Sequence, residues 1–120
     1  IERAGKLNIP IEDIVIDPLA MAVSADHAAG RVTLRTIELI HKEFGVNMTL
    51  GASNVSFGLP ERKIVNQAFM GLVAQMGVSC PITNPTHLAS TMRAVDLILG
   101  RDEYSMRYIK HYRKTKKAKK

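Results

Sequence analysis

"GASNVSFGLPER", residues 51–62, runs from three small residues into a polar turn and then toward a helix. The stretch before it, with 51 and 52 included, is "VNMTLGA" at 46–52, a short apolar run of strand character. Gly58 and Pro60 punctuate the turn, and Pro60 stands where a first helical residue belongs. From there Ile64, Val65, Ala68, Phe69, Leu72, Val73 and Met76 recur at helical spacing, and Gly77 ends the pattern. A strand, an elaborate loop and an amphipathic helix follow one another within about 30 residues.

The same succession occurs twice more. "DIVIDPLA" at 13–20 reads as a strand, followed by a loop through Gly30 and a helix near 31–44. In that helix Leu34, Ile37, Ile40 or His41, and Phe44 form the inward stripe, with Gly45 as C-terminal cap. "VSCPIT" at 78–83 is the third strand, and a helix from about Thr86 turns Met92, Val95 and Leu99 inward before Gly100. A last helix is expected over about 102–113. The strands are short apolar runs rather than strict alternations, as in a sheet covered by helices. Repeated strand–helix units of this length give right-handed crossovers and a parallel sheet. Three such strands cannot close a barrel, and as an open sheet they leave apolar edges. The opening "IERAGKLNIP" reads as the end of a helix and its loop, so the 120 residues are expected to be the C-terminal part of a larger protein. Alone, the chain should pair with a second copy or with the missing half, or be partly molten.

Composition narrows the class. Hydrophobic residues make up 46% and charged residues 23% of the chain, a globular balance. The net charge of +6 is local, because seven of the 17 Lys and Arg lie in 110–120, where there is no acid. The remaining ten face 11 acidic residues, so the body is nearly neutral. The division expected is a folded part over 1–113 and a basic, disordered, solvated tail over 114–120. A nucleic-acid binder would instead carry basic residues on a folded face among aromatics. No apolar run approaches the roughly 18 residues of a membrane span, and the first residues have no signal-peptide pattern. The lone Cys80 excludes an internal disulfide, fits a reducing cytoplasm, and reads as a small buried hydrophobe in its strand.

The polar residues that interrupt the apolar runs all fall just after a strand: Asp17, then Ser53 and Asn54, then Thr83 and Asn84. Ligand sites in parallel α/β folds form at these carboxyl ends. Asp17, in "VIDP", could bind the N–H edge of a heterocycle through two hydrogen bonds, or stabilise its own loop. Asn54 offers one donor and one acceptor from a neutral group and could follow an atom whose protonation changes; the loop by itself favours ordinary turn chemistry. His27, His41, His87 and His111 are scattered, with no carboxylate or thiol at metal-ligand spacing. His27 reads as an exposed loop residue, and Met21, Met48, Met70, Met76 and Met92 as core. Ser53 has no partner base, and the stretch around it matches neither a nucleophile elbow nor a phosphate-binding loop.

Taken in order, "IPIEDIVIDPL", "TLGASNVSFGLPER" with "VNQAF", and "ITNP" resemble the pterin-binding domain of methyltetrahydrofolate:corrinoid methyltransferases, over nearly the whole chain to about Tyr112. The family includes the folate domain of cobalamin-dependent methionine synthase. The resemblance implies a TIM (β/α)8 barrel of the dihydropteroate synthase-like type, with these residues as units six, seven and eight. It implies a cytoplasmic enzyme of one-carbon metabolism that moves the N5 methyl group between methyltetrahydrofolate and a corrinoid, or cobalamin, carried in the Co(I) state by a partner protein or domain. Asp17 then hydrogen-bonds the pterin ring, and Asn54 reaches N5 as the catalytic residue. Arg62 lies beside the pterin or its tail, Ile82 lines the pocket, and Ser53 joins the substrate-binding set; no metal ligand, nucleic acid or membrane is implied. A tertiary amine is a poor leaving group, so a carboxamide that strengthens its bond to N5 during transfer suits the reaction. Dihydropteroate synthase is the rival within the superfamily; it shares the aspartate, but "GASN" carries none of its lysine and "TNPTH" none of its arginine. A pterin-binding module without turnover, and a basic-tailed nucleic-acid-binding protein, are the readings from other classes.

Overall fold

The computed structural model describes residues 1–118, and the chain divides into two compact units, Ile1–Thr83 and Asn84–Lys120. The first unit begins with the short helix α1, Glu2–Lys6, and continues through β1 (Val15–Ile16), α2 (Ala29–Phe44), β2 (Asn47–Met48) and α3 (Arg62–Met76). The first two strands are parallel, with Val15 opposite Asn47 and Ile16 opposite Met48. The Thr49 N–H donates to the Ile16 carbonyl at 3.0 Å, so the carbonyl at the other end of that trans peptide, Met48 O, points away from β1. It accepts from Ser79 N–H and Cys80 N–H at 3.2 and 3.1 Å, which places residues 78–83 on the far edge of β2. There Gly51 and Ile82 form a single parallel bridge. The fold is therefore mixed α/β, mostly helical with a small parallel sheet.

All three strands are shorter than the apolar runs predicted. Pro18 stands two residues past β1, and Pro81 sits in the third segment between Cys80 and Ile82, whose N–H groups bond the Met48 and Leu50 carbonyls while Gly51 and Ile82 form one bridge. The second strand, expected to reach residue 52, gives way at Ala52 to a 3₁₀ turn, Ala52–Ser56, and α3 starts at Arg62 rather than Pro60.

Register decides which face of the sheet is covered. Met48 and Leu50 are wholly buried. Val15, Asn47, Gly51 and Ile82 share the opposite face by alternation and pairing, and there Val15 is 49% and Ile82 66% exposed. The helices pack on the first face. In α2 the inward residues are Ala29, Thr33 and Ile37, while Leu34 and Ile40 are half-buried and Phe44 is exposed. In α3 the expected Phe69 and Val73 are buried together with Met70 and Ala74, whereas Ile64, Ala68 and Leu72 are exposed. Both stripes are narrower than apolar spacing alone indicates. Left-handed glycines at 45 and 77 close these helices as expected. At Gly77 a side chain is doubly excluded: φ is +118°, and an added Cβ would lie 2.7 Å from His41 Nδ1.

In the second unit α4 (Pro85–Ile98) is followed by a 3₁₀ turn, Glu103–Ser105, and by α5 (Met106–Ala118). The Asn84 side chain accepts from Thr86 N–H at 2.9 Å, with Pro85 in the first turn, so this polar residue after the third strand is a helix cap. Of α4, Leu88 is buried and Met92, Val95 and Leu99 are half-buried. The last helix begins and ends later than predicted: the basic residues from 114 to 118, expected to be a frayed tail, continue α5, and residues 119 and 120 lie outside the described residues. Helix α5 is joined to α4 by a hydrogen bond of 3.0 Å between Ser90 Oγ and His111 Nε2.

Candidate functional site

The three strand ends of the first unit are laced to one another through backbone. Val23 N–H donates to the Val55 carbonyl at 3.1 Å, and Ser24 Oγ donates to the Phe57 carbonyl at 2.6 Å, fastening the loop after β1 to the loop after β2. Ala52 N–H donates to the Ile82 carbonyl at 3.1 Å, and Ile82 N–H to the Leu50 carbonyl at 2.8 Å, fastening the third segment to the same loop. Asp17, Ser53, Asn54 and Ile82 thus belong to one connected end of the sheet.

Each of these residues is held differently. Asp17 Oδ1 accepts from Leu19 N–H at 2.8 Å, closing a turn in which Leu19 takes a positive φ of 61°. The loop-stabilising reading of Asp17 is therefore realised by one of its oxygens. Asn54 is exposed, and its carboxamide has no hydrogen-bond partner among the described residues. The backbone beneath it is glycine for a reason: a Cβ at Gly51 would lie 3.0 Å from Asn54 Nδ2. The carboxamide therefore rests against the open face of the sheet, where Gly51 pairs with Ile82.

Arg62 locks this turn from the first residue of α3. Its Nη2 donates to the Ser53 carbonyl at 2.9 Å and its Nε to Ser56 Oγ at 3.0 Å. Ser56 is fully buried and its hydroxyl donates to the same Ser53 carbonyl at 3.1 Å. The guanidinium also stands 5.9 Å from the centre of the Phe57 ring. Asn66, one helical turn beyond Arg62, donates to Ser53 Oγ at 3.5 Å. Asn66 is the residue that reading the sequence missed, although its spacing of four from Arg62 on one helix face was visible. Its Oδ1 and the Thr83 hydroxyl are the buried polar side-chain atoms left without a partner among the described residues.

Other candidates do not gather here. The His27 side chain is fully exposed, 3.9 Å from Asp26. Cys80 is exposed, not buried as expected; its segment lies at the sheet edge, where the thiol donates to the Met48 carbonyl at 3.4 Å. Met48 and Met70 are core, but Met21 is 44% exposed. Among the described residues no group of three or more His, Cys, Asp and Glu is placed to hold a metal ion, and no helix is long and apolar enough to cross a membrane.

No family model matches the chain. Over 119 residues it is 35% identical to the methylcorrinoid:tetrahydrofolate methyltransferase of Eubacterium limosum. The match covers 97% of this chain and 44% of that protein, so the chain spans less than half the length of the curated relative.

Proposed function

We propose that this chain is part of a cytoplasmic methyltransferase that moves the N5 methyl group between methyltetrahydrofolate and a corrinoid, and that its first unit forms one side of the pterin site. The observation that carries the proposal is the unpartnered Asn54 carboxamide, held over the open sheet face at the joined strand ends. The named relative supports the reaction class, and the resemblance of the three strand-end motifs supports the roles.

In this reading the small sheet is the last part of a TIM barrel, its open face turned to the barrel interior and completed by the remaining length of a protein like the relative, or by association with another copy. Asp17 receives the pterin through the carboxylate oxygen that its own turn leaves available. Ile82, two-thirds exposed, supplies an apolar wall. Asn54 hydrogen-bonds N5: as acceptor it serves the protonated amine, as donor the unprotonated one, so it follows the nitrogen as the carbon–nitrogen bond breaks. Arg62 stands beside the ligand, but its Nε and Nη2 hold the Ser53–Ser56 turn, which makes it first a positioning residue for Asn54. The corrinoid, carried by a partner protein or domain, supplies the cobalt centre that exchanges the methyl group.

The test is single-turnover methyl transfer in the complete enzyme, with pterin affinity measured separately. A hydrogen bond made mainly in the transition state and worth about 2–4 kcal/mol predicts that Asn54→Ala slows transfer roughly a hundredfold or more while affinity changes little. Asp17→Asn should instead weaken binding, since its contact exists before and during transfer. A normal transfer rate in Asn54→Ala would reduce Asn54 to a turn residue and remove the mechanism.

A further inference from the structure

The second unit carries positive charge that methyl transfer does not use. Between α4 and α5 lies a cleft of about 320 Å³ lined by Arg93 of α4 and by Arg107, Lys110, His111 and Lys114 of α5. Arg107, Lys110 and Lys114 are three and four residues apart and therefore stand on one helix face. Arg107 is already engaged: its Nη2 donates to the Arg101 carbonyl, and Asp102 and Asp96 lie 3.6 and 4.0 Å from its guanidinium. Arg93, Lys110 and Lys114 have no acidic partner among the described residues. Like charges at helical spacing oppose the helix that carries them, and no acid within 110–118 relieves them. Such a concentration of cations in a concave site is relieved by an anion.

We propose that this cleft binds a small anion carrying two or more adjacent phosphate groups. Arg93 of α4 faces the α5 row across a concave cleft, which fits a compact, multiply charged ligand better than a flat polyanionic surface. The volume falls at the lower end of small-ligand sites, about 300–1,000 Å³. Arg93 offers a planar fork to one phosphate, and Lys110 and Lys114 act as mobile point charges for its neighbour. His111, tied to Ser90, fixes the floor between the helices.

Isothermal titration of the complete enzyme with sodium tripolyphosphate at about 0.1 M salt tests this, since weak surface attraction is largely screened there. Saturable one-to-one binding is expected. The double variant Arg93→Ser, Lys110→Ser should weaken it at least ~10-fold, and the double variant Lys116→Ser, Lys117→Ser, which removes equal charge outside the cleft, less than ~2-fold. Circular dichroism of both variants should match the parent. Absence of saturable binding would overturn the proposal, as would equal loss in the two variants. Tighter binding of oligothymidylate or of phosphatidylserine vesicles, lost equally in both variants, would also overturn it by showing a general basic surface.

Discussion

Two short 3₁₀ turns lead into helices in this chain, one before α3 and one before α5, and both are fastened by an arginine of the first helical turn. Arg62 reaches back to the Ser53 carbonyl, and Arg107 reaches back to the Arg101 carbonyl. Non-glycine residues at positive φ accompany both: Glu61, between the first turn and α3, and Tyr104 and Ser105 within the second. The turns differ in what is left over. Before α5, the Asp102 carboxylate accepts from Arg107 N–H at 2.9 Å and Tyr108 N–H at 2.8 Å, so the helix start is satisfied from within. Before α3 no side chain caps the helix, and Asn54 points a complete donor and acceptor at nothing in the described chain. One turn is finished; the other is rigid but incomplete. Positive φ is common to both; what sets the α3 turn apart is its unspent hydrogen bonding.

The sharpest way to break the comparison is to unlock the incomplete turn. Arg62→Ala removes two hydrogen bonds from a charged donor, one of them to a buried hydroxyl. Solvent exposure of the arginine reduces their net worth to about 1.4 kcal/mol, which predicts roughly tenfold slower methyl transfer in the complete enzyme if Asn54 depends on the turn. Pterin affinity should fall less than the rate. Equal losses in both would instead make Arg62 a direct ligand contact.

Gly51→Ala probes the same turn from beneath. The new methyl group would press on Asn54 Nδ2, a flexible side-chain end that can yield by a few tenths of an ångström. Folding should survive, while the displaced carboxamide slows transfer several-fold. A rate equal to the parent would mean that Asn54 tolerates displacement and does not depend on its seat against the sheet.

The contrast between the turns was only partly legible in the sequence. The order of strands and helices and the glycine stops at 45 and 77 followed from apolar spacing and punctuation, which are local. Asp17, Ser53, Asn54 and Ile82 could be placed at strand ends for the same reason. What spacing could not show was the third strand reduced to a bridge, or Cys80 standing exposed at the sheet edge, because both depend on pairing between distant segments. Nor did the basic run announce a helix to Ala118. Its start is fixed by Asp102, eight residues before the first of the lysines at 110, through bonds to the backbone that no charge count contains.

Acid should sharpen the comparison with the smallest effect of the three. Burial raises the Asp102 pKa, but the N–H groups of Arg107 and Tyr108 and the Arg107 guanidinium outweigh it and hold the carboxyl below its usual value of 3.8. A carboxyl more acidic when folded than when unfolded stabilises the fold fully above its unfolded value, and that contribution fades as pH falls through the lower folded value. The variant Asp102→Asn keeps one acceptor and loses the charge, so it should melt a few degrees below the parent near neutral pH. Below about pH 3.8 the two melting curves should converge, because protonation removes from the parent what the substitution removed from the variant. Thermal melts followed by circular dichroism across this range decide it. A gap that persists unchanged into acid would assign the loss to side-chain shape rather than to the carboxylate charge. The α3 turn has no carboxylate cap, so Arg62→Ala should destabilise by the same amount across that window and leave the pH dependence to the α5 turn alone.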